Sequence, residues 1–177
     1  MITIRRASFA DAAPLAVLAE RTFRDTFAAD NSPADMDLHC SQNFSAEIQL
    51  REISDPRRVS ILAAVDEKLV GFSQLLLRRP VPCLNSRHPA ELNRLYVLGE
   101  WHGRRVAHQL MDAVLSTAAQ QDSDHVWLGV WERNPRAMAF YGKFGFEVVG
   151  EQRFVLGRQP QRDLLMAVEI NAPSSAT

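Results

Sequence analysis

Residues 91–118 read ELNRLYVLGEWHGRRVAHQLMDAVLSTA, and no other stretch constrains the fold as much: a strand, a short turn and a helix follow one another without a linker. Val106, Leu110, Ala113, Val114 and Thr117 recur at helical spacing, so the helix lays one side on a sheet. A strand that feeds straight into a helix start aims backbone amides and the positive end of the helix dipole at one point, where a phosphate can sit. Gly103 permits a tight backbone path, Ala107 keeps bulk away from the helix start, and Arg104 and Arg105 add positive charge. Taken alone, the segment fits both a pyrophosphate cradle and an ordinary strand-to-helix connection with a solvated arginine pair.

Composition narrows the class. A chain of 177 residues, 46% of them hydrophobic, suits one domain around a single core, expected over residues 1–170 with a flexible polar tail at 171–177. The formal net charge is -1, and the arginine pairs are scattered rather than gathered into a stripe, which argues against a nucleic-acid partner. No apolar run approaches the roughly 18 residues needed to span a bilayer, and the start lacks a long apolar signal segment. The expectation is a cytoplasmic protein with no membrane partner. Cys40 and Cys83 lack metal-site spacing, so both are expected as free thiols and no metal is expected.

Ile2 and Ile4 mark a short opening strand, and Ser8 with Asp11 three residues on forms a capping box for a helix that buries Leu15, Leu18, Ala19, Thr22, Phe23 and Thr26. Pro33 can start a second helix and residue 45 or 46 a third, which Asp55-Pro56 ends. Two apolar runs, 59–65 and 69–77, flank Asp66-Glu67-Lys68 and read as an antiparallel hairpin. Residues 78–89 hold three prolines and read as an exposed loop. Residues 126–131 form a strand, followed by a short helix and two closing strands at 146–155 and 163–170.

The second informative segment, VWLGVWERNPRAMAFYGKFGF, has Asn134 at an N-cap position, Pro135 at the first helical position and Gly145 just past the end. Ala137, Phe140, Tyr141 and Phe144 share one face of that helix, and from spacing alone Tyr141 is one more core aromatic. The order ELNRLYV, HGRRVAHQLMDA and VWERNPRAMAFYGKFGFEVVG resembles the GCN5-related N-acetyltransferases. The front half, TFRDTFAADNSPADMDLHCSQNFSAEIQLREIS, and the later DLLMAV are similar to the PaiA-type branch, named for spermidine/spermine acetyltransferases.

The resemblance implies an α/β (α+β) GNAT fold: a mixed, mostly antiparallel central sheet, splayed between strands 4 and 5 and flanked by helices. It implies an enzyme that passes acetyl from acetyl-CoA to a primary amine of a small molecule by direct attack in a ternary complex. Backbone of Leu95, Tyr96 and Val97 would pair with the pantetheine arm, and amides of Gly103, Arg104, Arg105, Val106 and Ala107 would hold the pyrophosphate. Tyr141 matches the acid that protonates the departing thiolate, Asn134 a position that reaches cofactor or water, and Glu91 is the candidate base. The family pattern Q/R-x-x-G-x-G/A falls on His102, Arg105 and Ala107, so an arginine replaces the first glycine. The cradle is expected to form with Arg105 in helical φ/ψ.

Acceptor identity is the least constrained part. Residues 25–37, DTFAADNSPADMD, carry four aspartates and no basic residue, which fits either a mouth for a cationic polyamine or a helix junction with capping aspartates. The other reading of the whole chain is a non-catalytic acyl-CoA sensor with the same fold. A homodimer is compatible with the sheet, dimers being the commonest closed assembly.

Overall fold

The computed structural model describes residues 1–156 and 159–170, so the expected tail at 171–177 lies outside the described residues. Strand β1 (Thr3–Arg6) leads through a 3-10 turn into α1 (Ala12–Phe27), followed by α2 (Pro33–Asn43) and α3 (Ala46–Ser54). The hairpin β2 (Arg58–Val65) and β3 (Lys68–Leu77) precedes β4 (Pro89–Val97), α4 (Val106–Gln120) and β5 (His125–Trp131). Helix α5 (Pro135–Gly142) and strands β6 (Glu147–Leu156) and β7 (Gln159–Glu169) complete the fold. The seven strands form one sheet in the order β1-β2-β3-β4-β5-β7-β6.

Local chemistry sets most of these boundaries. The Asp11 carboxylate accepts from the Ser8 amide at 2.7 Å and the Ser8 hydroxyl at 2.8 Å, and Arg5 grips both its oxygens at 2.7 and 2.8 Å. That hydrogen-bonded arginine holds Asp11 well below the usual carboxylate range. Ser32 and Ser45 accept from Asp35 and Ile48 amides and so cap α2 and α3. Phe27, rather than the expected Thr26, completes the buried stripe of α1.

Helices α1 and α2 cover one face of the sheet, packing Leu15, Phe23, Phe27, Met36 and Phe44 with Leu62, Phe72 and Leu98. Helix α4 covers the other face through Val106, Leu110, Met111 and Val114, which meet Ile61, Leu92, Val126 and Leu128. The expected loop is pinned rather than loose, and β4 already begins at its last proline, Pro89. Asp124 accepts from Ser86 and from the Arg87 and His88 amides, Trp127 Nε1 donates to the Arg79 carbonyl at 2.7 Å, and Val81 is buried against Trp127.

The sheet is antiparallel except where β4 meets β5, and that parallel pairing covers only Pro89, Ala90 and Glu91 against His125, Val126 and Trp127. Just beyond it β4 bulges: Gln74 faces Arg94 and Leu75 faces Leu92, leaving Asn93 as the extra residue. A bulge bends its strand and sharpens its twist, so β4 follows β3 to Val97 while β5 continues with β7. The expected splay between strands 4 and 5 is present.

A buried network locks the bulge. Arg94 meets Glu52 at 2.6 Å, with side chains only 10% and 13% exposed, and Gln74 donates to Glu52 at 3.0 Å. Asn93 donates to the Gln74 carbonyl oxygen at 3.0 Å, and Arg94 lies 5.2 Å over the Phe44 ring. Removing one member of a buried ion pair strands its partner's charge. Glu52→Ala is therefore expected to lower unfolding free energy by about 3 kcal/mol in urea titrations; a loss below about 1 kcal/mol would show that solvent already neutralises Arg94.

Candidate active site

Beyond Glu91, β4 has hydrogen-bonded neighbours on one side only. Leu98 donates to Val70 at 2.9 Å, and the antiparallel alternation then turns the Val97 and Leu95 backbone groups away from β3, into the opening. Tyr96 alternates with them, so its backbone faces β3 while its ring joins Phe23 and Phe72 on the helical face. Of the three backbone positions proposed for pantetheine, Leu95 and Val97 present free polar groups to the gap. His102 already uses one of them: its Nε2 lies 2.9 Å from the Val97 carbonyl oxygen.

The turn after β4 ends at the start of α4. Gly103 has φ 76° and Arg105 φ 63°, both left-handed, and the helix proper begins at Val106. The expectation of helical φ/ψ at Arg105 is therefore corrected: Arg105 occupies the N-cap with left-handed backbone, a conformation glycine adopts without steric cost. Gly103 and Arg104 likewise precede the helix instead of forming its first turn. The Arg105 carbonyl accepts the first helical bond, from Gln109 at 3.1 Å, and helix geometry leaves the next amides pointing outward. Arg104 stacks 5.0 Å over Trp101, and Arg105 is exposed.

On the far side of the opening, Asn134 caps α5 by accepting from the Ala137 amide at 3.1 Å. A Schellman closure ends the helix: Phe146 donates to Tyr141 at 3.3 Å and Gly145, at φ 84°, to Gly142 at 3.1 Å. Tyr141 packs on Phe140 and Phe146, and burial pushes its phenol up to about 12. Burial above all, and the charge of Tyr141 to a smaller extent, raise the Tyr96 phenol as well. Both phenols are neutral near pH 7.

A cavity of about 200 Å³ opens on the helical face of the split, lined by Phe23, Phe27, Phe44, Tyr96 and Trp131 together with Glu91 and Asp163. Burial raises Glu91, and Arg79, 3.6 Å away, opposes that shift. Asp163 is 7% exposed, its Oδ1 has no hydrogen-bond partner, and burial pushes it up to about 6. The sequence reading missed Asp163 because it placed the residue at a strand start, where aspartates are commonly solvated. Strand β7 instead begins at Gln159, which sets Asp163 inside the sheet opposite Trp131. His39, stacked 4.3 Å from Phe23, is held down to about 4 by burial and, less, by Arg94.

The acidic run 25–37 is largely spent on structure. Asp37 pairs with Arg24 at 2.8 Å, Asp25 with Arg21 at 3.9 Å, and Asp35 sits in the α2 cap with Ser32. Asp30 lines a neighbouring groove with Arg133, Arg153 and Arg162. Among the described residues, no helix is long and apolar enough to cross a membrane.

A split mixed sheet, with a free strand edge leading into a helix start, is the frame of the site. Residues 19–146 match the acetyltransferase (GNAT) family model, and the chain belongs to that family. An uncharacterized N-acetyltransferase of Mycobacterium tuberculosis is 34% identical over 160 residues, covering 90% of this chain and 98% of the relative. The spermine/spermidine N(1)-acetyltransferase of Bacillus subtilis is 26% identical over 132 residues, covering 71% and 87%. Among solved structures, the PaiA N-acetyltransferase of Thermoplasma acidophilum in complex with coenzyme A superposes with TM-score 0.77 at 24% identity, over 96% of this chain and 99% of that one. The protein is thus a GNAT-type N-acetyltransferase.

Two stability measurements test this geometry. Relief of left-handed strain at residue 105 competes with the extra unfolded-state freedom of glycine, so Arg105→Gly is expected to raise unfolding free energy by at most about 1 kcal/mol, whereas β-branched Arg105→Val lowers it by about 1 to 2. Equal stabilities would place Arg105 outside the left-handed region. For Asp163 the folded-state value lies above the unfolded one, so folding binds a proton between about pH 4 and 6 and the ionised carboxylate destabilises the fold above that window. Asp163→Asn should gain up to about 3 kcal/mol over the native chain at pH 8, with the gain shrinking as pH falls through 6 toward 4. A gain independent of pH would contradict the assignment.

Proposed function

We propose that the protein acetylates a primary amine of a small molecule by direct attack on acetyl-CoA within a ternary complex, the acceptor being a cationic amine of the polyamine kind. The observation that carries this reading is the split itself. A free β4 edge runs into the α4 N-terminus, and an aromatic cavity holding two carboxylates opens beside it. Likeness to the Bacillus subtilis spermine/spermidine enzyme supports the acceptor class.

In this reading the pantetheine amides pair with Leu95 and Val97, displacing the His102 ring from the Val97 carbonyl. Amides of residues 103–107 and the charges of Arg104 and Arg105 hold the pyrophosphate. An alkylammonium must lose a proton before it attacks, its ordinary pKa being about 10.4. Glu91, raised by burial, takes that proton through water. The neutral nitrogen attacks the thioester carbon, and the Val97 amide stabilises the oxyanion. As the C–S bond breaks, Tyr141, a neutral phenol, protonates the thiolate, and the second proton that the nitrogen sheds on becoming an amide returns through water to the Tyr141 oxygen. Asn134 orients α5 and reaches cofactor or ordered water with its remaining donors. No metal is needed for any of these steps.

Thiol release from acetyl-CoA in the presence of spermidine and a panel of primary amines tests the activity; CoA binding without release on any amine would leave a sensor in place of this enzyme. Tyr141→Phe is expected to lower kcat about 10- to 100-fold while CoA affinity, by calorimetry, stays within about twofold. Unchanged kcat would remove Tyr141 from the proton-transfer role.

A further inference from the structure

Three features of the cavity single out Asp163. Its carboxylate is more than nine-tenths buried, and Oδ1 has no partner in a structure where Arg5, Arg24, Arg58, Arg94 and Arg162 all pair with acids. A buried carboxylate without a partner is costly, and a cation is what satisfies it. Gly129 makes room for the group itself: a Cβ there would come within 3.1 Å of Asp163 Oδ2 and of Gln152 Nε2, so a side chain at this point of β5 would push the carboxylate from its place in the cavity wall. The walls are aromatic rings, whose faces attract cations and pack against methylene groups.

We propose that Asp163 is the docking group for the acceptor, binding a positively charged nitrogen carried on an apolar chain or ring, with Phe23, Phe27, Phe44 and Trp131 enclosing that body. This deepens the reading of the protein as an amine acetyltransferase and rests on it. Asp163 sets which amines enter, and Glu91, nearer the closed end of the split and opposite Trp127, remains the proton acceptor. The other charged or titratable groups facing the cavity do not supply a competing cation. Arg94 is engaged by Glu52, His39 is neutral at pH 7, Tyr96 stays a phenol, and Gln152 of β6 carries no charge. Arg162, next to Asp163 in the chain, pairs with Glu132 and Glu151. An acceptor bearing its own carboxylate beside the amine would meet Asp163 with like charge and be rejected.

The test uses CoA-loaded full-length protein titrated by calorimetry at pH 7.5 with spermidine, phenethylamine and phenylalanine. The last two share a body and differ by one carboxylate. At least one of the two amines lacking a carboxylate should bind, phenylalanine at least tenfold more weakly than phenethylamine, and Asp163→Asn should weaken the cations at least tenfold without changing CoA affinity. In steady-state assays the same variant should raise the amine KM by a similar factor while kcat at saturation falls less than threefold. Native binding of the amine should fade as pH drops below about 6. Equal amine affinity in native and variant protein, failure of both cations to bind, or a fall in kcat at unchanged KM would each overturn the proposal. Loss of CoA binding by the native chain would instead overturn the acetyl-CoA reading beneath it.

Discussion

The buried pairing of Glu52 with Arg94 is the constraint on which the site depends. Helix α3 delivers the carboxylate, β4 the guanidinium, and Gln74 of β3 donates to the same carboxylate while accepting from Asn93. Those contacts fix one extra residue in β4 just beyond the end of its pairing with β5. Buried polar networks of this kind are sensitive to omission, because each member left alone exposes the others to an unsatisfied environment. The opening in the sheet is therefore held by interactions outside it.

Once the strands part, the two faces of the gap acquire different chemistry without further design. Toward α4 the free strand edge and helix start offer backbone donors and positive charge, suited to a phosphate-bearing cofactor. Toward α1 and α2 the gap is walled by aromatic rings and carboxylates, suited to a cationic amine. The strained Arg105 belongs to the first face. Its left-handed backbone turns the chain into α4, and its side chain adds a charge that glycine would not supply.

Legibility in the sequence followed the range of the interactions. Periodicity and caps are local, so α1, the β2–β3 hairpin, the Asn134 cap and the Gly145 closure could be read from neighbouring residues. Family likeness carried the splay, and it is also the source of the roles proposed for Tyr141 and Glu91, which no spacing rule contains. What escaped depends on contacts between distant segments. The left-handed state of Arg105 is set by the turn geometry between β4 and α4, and the four aspartates of residues 25–37 resolved into caps and ion pairs only when their partners came into view. Asp163 was hidden because β7 starts four residues earlier than its composition suggests, so a residue that looks solvated is enclosed.

Asp163 also separates what stabilises this fold from what lets it act. The same burial that leaves Asp163 Oδ1 without a partner raises the proton affinity of the carboxylate, and the group nonetheless lines the cavity. An asparagine there would remove the electrostatic cost, and a larger residue at 129 would displace the group. A fold selected for stability alone would take either route, since unpaired buried charge is a standing penalty. That this chain takes neither, while pairing buried Asp11 and half-buried Glu52 with arginine and placing buried Asp35 in the α2 cap, is the physical ground for reading Asp163 as a group whose partner arrives from outside.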